Sequence, residues 1–238
     1  MSFSSMSDDE LFRAAQRGDT GTVYRLVQQL LQEGAPPVVF RLALNVAIWN
    51  DHGEIVREIV RRVGRRLVHE WDTWERYLLL SARRDSAAAA RALMQSASQY
   101  GGLVRSGTSV YKSALKDAAA NNSATMMALL IPRVSICERE ALFIMCAAEG
   151  NLRAVKVLSR GNVNLNSRDW WAKWTALHHA ATKGHARVVA QLLWCKADPR
   201  VQTGGCNTAL ELATLKGHVA AASVLRRFAA KENEETTA

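Results

Sequence analysis

The residues whose types could do chemistry are six histidines and four cysteines. The histidines are His52, His69, His178, His179, His185 and His218; the cysteines are Cys137, Cys146, Cys195 and Cys206. Imidazole and thiolate together suit a zinc site or an activated nucleophile. No Cys-x-x-Cys pair occurs, and the Cys195–Cys206 spacing matches no known zinc module, although a hairpin could bring those two thiols near a histidine. His178 and His179 are neighbours, so a helix would point them in different directions, which is poor geometry for one metal. Gly101-Gly102 and Gly204-Gly205 lack the Gly-Lys-Ser/Thr that completes a phosphate loop. Neither Gly-x-Ser-x-Gly nor His-Glu-x-x-His is present. The sequence therefore predicts no catalytic residue, no metal and no cofactor, and a protein that is not an enzyme.

The elements that carry these residues repeat. Trp174-Thr175-Ala176-Leu177-His178-His179-Ala180-Ala181-Thr182-Lys183-Gly184-His185 returns 33 residues later as Asn207-Thr208-Ala209-Leu210-Glu211-Leu212-Ala213-Thr214-Leu215-Lys216-Gly217-His218. A fixed period of this size is the signature of a stacked repeat protein. The phase of Ala180 extends upstream through Ala14, Ala47, Ser81, Ala118 and Cys146, and downstream to Ala213, with gaps of 33, 34, 37, 28, 34 and 33. Apolar pairs recur after each: Val23/Leu26, Val56/Val60, Ala90/Leu93, Met127/Leu130, Val155/Leu158, Val189/Leu192 and Ala222/Leu225. Seven units follow, with the third and fourth most irregular, and the short gap leaving little room for a hairpin after the fourth. Punctuation agrees: Ser7-Asp8-Asp9-Glu10 reads as a capping box, Gly18, Gly150, Gly184 and Gly217 as turns between paired helices, and Pro36-Pro37 as a helix start.

The words Thr-Ala-Leu-His, Ala-Ala and Gly-His, followed by Val188-Val189, Leu192-Leu193 and Ala197-Asp198, resemble the ankyrin repeat, with Ala176 in place of the family's proline. The resemblance is strongest over 162–228. It implies an all-α solenoid of about seven stacked helix-turn-helix units, with hairpin fingers mainly in the C-terminal half. The expected layout is one domain over 1–230, degenerate over 7–136 and clearer over 137–230, with a polar acidic tail over 231–238 that frays. The resemblance also makes His52, His185 and His218, beside the inter-helix turn, structural through ring hydrogen bonds to nearby backbone. His178 likewise ties neighbouring repeats together. Stacks of this kind bind other proteins through a concave face built from hairpin tips and first-helix ends.

Composition bounds the rest. Of 238 residues 48% are hydrophobic, enough for a sizeable core. No apolar run reaches membrane-spanning length, and the acidic Asp8-Asp9-Glu10 argues against a secretory or transit leader. Cys146 falls in a slot that otherwise holds alanine or serine, so it reads as a buried small residue. Together these predict a reduced, intracellular protein: cytoplasmic, nuclear or assembly-associated. The net charge is 31 − 22 = +9. It biases the surface toward an acidic protein segment, nucleic acid or another acidic polymer. The arginine excess could equally reflect genome base composition.

Candidate contact residues are those the repeat does not demand. Trp170, Trp171 and Lys173 fall in a hairpin one residue longer than the period needs. Tryptophan is enriched in binding hot spots, though these two could instead fold back over a neighbouring finger. Trp174 sits in a structural slot. The residue before each inter-helix turn reads Arg17, Asn50, Arg84, Asn121, Glu149, Lys183 and Lys216. With Arg83 it forms a broken basic line, and Trp49 and Leu215 are apolar beside it. Arg57, Arg61 and Arg65, flanked by Arg62 and Arg66, line an outer helix face where Glu54 and Glu58 can pair with Arg57 and Arg62. The small-residue face around Ala220–Ala222, Ala229 and Ala230 would be covered by the tail or by another subunit. The leading expectation is an adaptor or scaffold for another protein through an acidic or apolar segment, as a soluble factor or a fixed subunit of a ribonucleoprotein or cytoskeletal assembly. The alternative is arginine-driven binding of nucleic acid or another acidic polymer.

Overall fold

At the turn between the two helices of each unit stands one residue with positive φ: Gly18, Asp51, Asp85, Asn122, Gly150, Gly184 and Gly217. Each stands four residues after one of the aligned small residues, so the backbone reproduces the phase read from side chains. The computed structural model describes residues 6–67, 73–100 and 108–237. Among them are fourteen α-helices and no strand. The chain divides into two compact units, Met1–Asn121 and Asn122–Ala238, and the division falls in the fourth repeat, where the spacing departs most from 33.

The first unit contains α1 (Met6–Arg17), α2 (Thr20–Gln32), α3 (Pro37–Trp49), α4 (Gly53–Leu67), α5 (Thr73–Arg84), α6 (Ala87–Tyr100) and α7 (Thr108–Ala120). First helices stack on first helices, α1 on α3, α3 on α5 and α5 on α7, while α2, α4 and α6 form the second layer. The second unit contains α8 (Ala124–Leu130), a 3₁₀ turn (Ile131–Arg133), α9 (Ile136–Ala148), α10 (Leu152–Ser159), α11 (Ala176–Thr182), α12 (Ala186–Trp194), α13 (Ala209–Leu215) and α14 (Val219–Thr237). Here α9, α11 and α13 form one layer and α8, α10, α12 and α14 the other. Every member of the seven apolar pairs is buried, as are all seven aligned small residues. Each large apolar side chain so buried contributes about 1.5–3 kcal/mol, and no helix pair could bury its stripe alone.

The turns explain why the aligned residue is small. In six repeats the amide five residues on donates to its carbonyl, as in Asp19 to Ala14, His52 to Ala47 and His218 to Ala213. This is the bond that closes a helix on a left-handed residue. Three turns add a second constraint. His52, His185 and His218 donate from Nε2 to Gln16 O, Ala148 O and Thr182 O of the preceding repeat, at 3.1, 3.1 and 2.8 Å. Their rings lie so close that a Cβ at Gly18, Gly150 or Gly184 would stand 2.9, 2.7 or 2.6 Å away. Where the following repeat offers Ser86, Ser123 or Asn151 in that slot, the turn carries Asp51, Asp85 or Asn122, residue types that tolerate positive φ. Asp51 uses its freedom to accept the Ala89 amide of α6 at 3.0 Å.

Two local readings change. Met6 and Ser7 both lie within α1, so Ser7 sits inside the helix rather than capping it. Capping boxes close on Ser135–Glu138, Thr175–His178 and Thr208–Glu211 instead. Helix α14 continues past Ala230 to Thr237, because Lys231 and the glutamates after it are good helix formers as well as polar. Pro36 and Pro37 do open a helix, as N-cap and first residue of α3.

Gly184→Ala and Gly217→Ala separate the two constraints. Both put alanine at positive φ, costing about 1–2 kcal/mol. Only Gly184 also has a histidine ring in the way, whereas nothing lies within 4 Å of a Cβ at Gly217. Gly184→Ala should lower stability in urea melts by at least about 1 kcal/mol more than Gly217→Ala; equal losses would refute the histidine contact as a constraint.

Candidate protein-binding surface

One carboxylate builds the finger that carries the tryptophans. Asp169 Oδ1 accepts the Ala172 and Trp174 amides at 2.9 and 3.1 Å, and Oδ2 accepts His179 Nε2–H at 2.9 Å. The Asp169 amide donates to Trp174 O at 2.8 Å, closing the loop, and Lys173 takes a positive φ of 57° to complete it. Burial pushes the Asp169 carboxyl up, yet the hydrogen bonds from His179 and the two amides outweigh it and hold the group below the ordinary carboxylate range. Trp174 packs its ring on His179 at 5.1 Å, which makes it structural as expected.

Trp170 and Trp171 project from this closed loop with 82% and 80% of their surface exposed. They touch edge to face at 5.4 Å, a favourable aromatic arrangement that fixes one ring against the other. They do not fold back over a finger. The next hairpin supports the loop from below: Gly204 N–H donates to Ala172 O at 3.0 Å, and a Cβ at Gly204 would lie 3.3 Å from that oxygen. Positive φ in the second hairpin falls on Cys206, at 61°, and not on Gly204 or Gly205. The glycine is there for close approach of two backbones, a role the sequence reading assigned to turn geometry.

The basic line separates by unit. In the second unit Lys183 and Lys216 cap the C-termini of α11 and α13, and Glu149 caps α9. All three are exposed. Cations at these positions also complement the negative end of the helix dipole, by about 0.3–1 kcal/mol each, so the helix ends themselves favour them. In the first unit Arg17 ends α1 and is exposed. Arg84 lies over the ring of Trp49, 4.5 Å from its centroid, and Trp49 remains 56% exposed. Arg83 Nε donates to Asp117 Oδ2 at 2.9 Å. Two of the predicted basic contacts are thus engaged within the fold by Asp117 and Trp49, side chains one repeat away that spacing within a single repeat does not relate.

Other candidates resolve into structure. Thr175 N–H and hydroxyl both donate to His178 Nδ1, at 3.2 and 2.8 Å, so this histidine caps its own helix beside the Val201 and Asn207 backbone of the next repeat. Burial holds His178 below the ordinary imidazole range, against the opposing effect of that backbone. Cys146 is buried, and burial, then Glu149, pushes its thiol up to about 12, which makes it unreactive. Cys195 Sγ meets Gln191 Nε2 at 3.1 Å and Ser159 Oγ at 3.6 Å, and all four cysteines are free thiols. Among the described residues no three His, Cys, Asp or Glu side chains could hold a metal ion. His69 and Gly101-Gly102 lie outside the described residues, as do the side chains of Arg65 and Arg66. Arg57 pairs with Glu54 at 2.7 Å; Arg61 and Arg62 share Glu58, and Arg62 stacks on Tyr24 at 3.9 Å. Trp194, 75% exposed at the end of α12, escaped the sequence reading. Its signal was a large aromatic off the buried Val188, Val189 and Leu192 stripe.

Comparison with known proteins places this surface in a class. The family described as Ankyrin repeats (3 copies) matches residues 142–236. Over 69 residues the chain is 44% identical to the probable E3 ubiquitin-protein ligase XBOS34 of Oryza sativa subsp. japonica, covering 29% of this chain and 14% of that protein. Over 88 residues it is 39% identical to calmodulin-binding transcription activator 5 of Arabidopsis thaliana, covering 34% of this chain and 9% of that protein. The chain thus spans a small part of the curated relatives it matches. The solved ankyrin repeat domain of Bcl-3, a unique member of the IkappaB protein family, aligns with a TM-score of 0.65 at 22% identity, over 91% of this chain and 97% of that one. At that identity the likeness is one of fold. Residues 142–236 match the ankyrin-repeat family, and the described chain has the ankyrin-repeat fold. Ankyrin repeats are protein–protein interaction modules, and the fold is an interaction scaffold that is typically without enzymatic activity. No helix among the described residues is long and apolar enough to cross a membrane.

Two measurements check this geometry. Asp169→Ala should raise hydrogen exchange at the Ala172 and Trp174 amides by at least about tenfold, with the helices unchanged; unaltered protection would show that the loop does not depend on the carboxylate. For His178 the unfolded chain takes up a proton before the folded one, since the folded pKa is depressed from 6.5. Its contribution is intact above that value and declines as pH drops below it. The urea midpoint should therefore fall between about pH 7 and about pH 5.5, less steeply in His178→Gln. Identical pH slopes would remove His178 as the cause.

Proposed function

We propose that this chain is a non-enzymatic adaptor that binds another protein through the Trp170–Trp171 finger, assisted by Lys173, Lys183 and Lys216. The single observation behind this reading is the exposure of both rings on a loop that Asp169 holds closed. Two solvated tryptophans cost solubility, and a prebuilt loop loses little entropy when a partner covers them. Lys173 in the same loop, with Lys183 and Lys216 at the helix C-termini of this unit, favours a partner segment that is apolar where it meets the rings and acidic beside it. Arg17, Trp49, Arg83 and Arg84 lie on the first unit. The adaptor works inside the cell, where its four thiols stay reduced, either as a soluble factor or as a fixed subunit of a larger assembly; co-sedimentation with a heavy fraction separates the two.

Trp170→Ala with Trp171→Ala tests the reading. Truncating hot-spot tryptophans costs about 2 kcal/mol or more, about thirtyfold in affinity. Affinity purification with mass spectrometry should lose proteins that the wild-type chain recovers, while circular dichroism stays the same. Recovery of the same proteins in the same amounts would overturn the proposal.

A further inference from the structure

We propose a second binding site, on the outer helix layer of the second unit: a basic, acid-free face that takes an amphipathic helix with acidic flanks from a partner protein. It rests on the reading of the chain as an adaptor, since joining two proteins takes two surfaces, but uses none of the residues of the tryptophan finger.

The repeat builds the face. In α10 the inward residues are Ala154, Val155 and Leu158, which leaves Arg153 and Lys156 exposed, with Arg160 at the C-cap. The same register in α12 holds Arg187, Ala190 and Trp194, and in α14 it holds Ala220, Ser223 and Arg227. Equivalent positions on stacked helices are neighbours, about 10 Å apart. No acidic residue occurs in α8, α10 or α12, and the first one in α14 follows Lys231. Arg153, Lys156, Arg160, Arg187 and Arg227 make no ion pair among the described residues. On α4, by contrast, Glu54 and Glu58 lie one turn from the arginines and offset them. Cations gathered on one face without counter-charges raise the local potential and attract an acidic partner.

Apolar surface lies within this charge. A trough of about 370 Å³ between α8 and α10 is lined by Ala124, Ala128, Ile131, Val157, Arg160 and Gly161. It stays open because α8 offers Ala124 and Ala128 where α10 has Leu152 and Lys156. Arg160 is the one charge in the lining. Trp194, 75% exposed, stands on the next helix of the layer.

Spacing selects the occupant. The trough lies half a helix spacing before α10 and Trp194 one spacing beyond it, about 15 Å in all. Three turns of an α-helix cover about 16 Å, so a helix laid across α10 places one apolar side chain in the trough and another on Trp194. Carboxylates on its flanks then meet Lys156, Arg160 and Arg187. The trough has aliphatic walls and no ring, and Trp194 is the one exposed aromatic on these helices among the described residues. A nucleic-acid strand would need successive rings on which to stack.

The test is fluorescence anisotropy of the full chain with a labelled helical peptide that carries a leucine stripe, glutamates on both flanks and alanine elsewhere. Trp194→Ala should weaken binding at least about tenfold, as should Lys156→Ala with Arg160→Ala. These side chains are exposed, so circular dichroism should match the wild type. Ala128→Leu fills the trough without changing charge and should weaken binding as well. Arg57→Ala with Arg61→Ala removes the same charge as the Lys156 and Arg160 pair and should change binding less than about twofold. A peptide with serine for every leucine should bind at least about tenfold more weakly. Equal weakening by the two alanine pairs, or equal binding of the serine peptide, would reduce the effect to net charge and overturn the site, as would absence of wild-type binding. A decanucleotide bound more tightly than the peptide, and equally sensitive to Trp194→Ala, would overturn it in favour of nucleic acid. Trp170→Ala with Trp171→Ala should leave peptide binding unchanged. Loss there with Trp194→Ala silent would move the peptide to the finger, overturning this site while the finger stands.

Discussion

The constraint that recurs through the stack is a positive-φ turn after each first helix, and at three junctions a histidine ring is laid on the glycine of the repeat before it. At Gly18, Gly150 and Gly184 one residue meets two demands: a positive φ that closes the first helix, and space for the ring of His52, His185 or His218. The ring then donates to a carbonyl at the end of that same helix. Helix termini leave such carbonyls without intrahelical partners, so one bond both satisfies an end and joins two repeats. Asp51, Asp85 and Asn122 stand where the partner histidine is missing. The irregular middle of the chain keeps the turn and gives up this contact, and the boundary between the two compact units falls there.

That division of labour leaves the surface free for recognition. A repeat must conserve its buried stripe, its turn and its inter-repeat bond, and each is made by residues facing inward. The finger shows how an insertion becomes a feature. One extra residue lengthens the loop, Asp169 absorbs the freed amides, and Gly204 lets the neighbouring hairpin brace the tip at backbone distance. The rings themselves need nothing from the fold beyond a rigid base.

Charge is less informative than its sum suggests. A net +9 is consistent with several acidic partners. The structure sorts the arginines by what they touch: Arg57, Arg61 and Arg62 face glutamates of their own helix, Arg84 faces an indole, and Arg83 faces Asp117. The exposed pairs among them, such as Arg57–Glu54, contribute about 0–1 kcal/mol, so they matter less for stability than for what they remove from the surface potential. Lysines at helix C-termini have a local electrostatic reason to be there, which a partner can exploit but did not create.

Periodic and local information was legible in the chain alone. The seven-unit phase, the buried apolar pairs, Cys146 in an alanine slot and the turn after each first helix all rest on residues close in sequence, where spacing dictates neighbours. Exposure of Trp170 and Trp171 was half legible, because a long hairpin can project or fold back, and only the bonds of Asp169 and Gly204 decide between them. Which particular side chains meet across a repeat was not legible. That His218 sits on Gly184 and that Arg84 covers Trp49 depend on how helices about 10 Å apart pack face to face. Sequence by itself determined which repeats exist and where each helix turns. Tertiary structure decided which of the leftover side chains are engaged and which remain open to a partner, because that choice is made between residues more than 30 positions apart, as with Arg83 and Asp117.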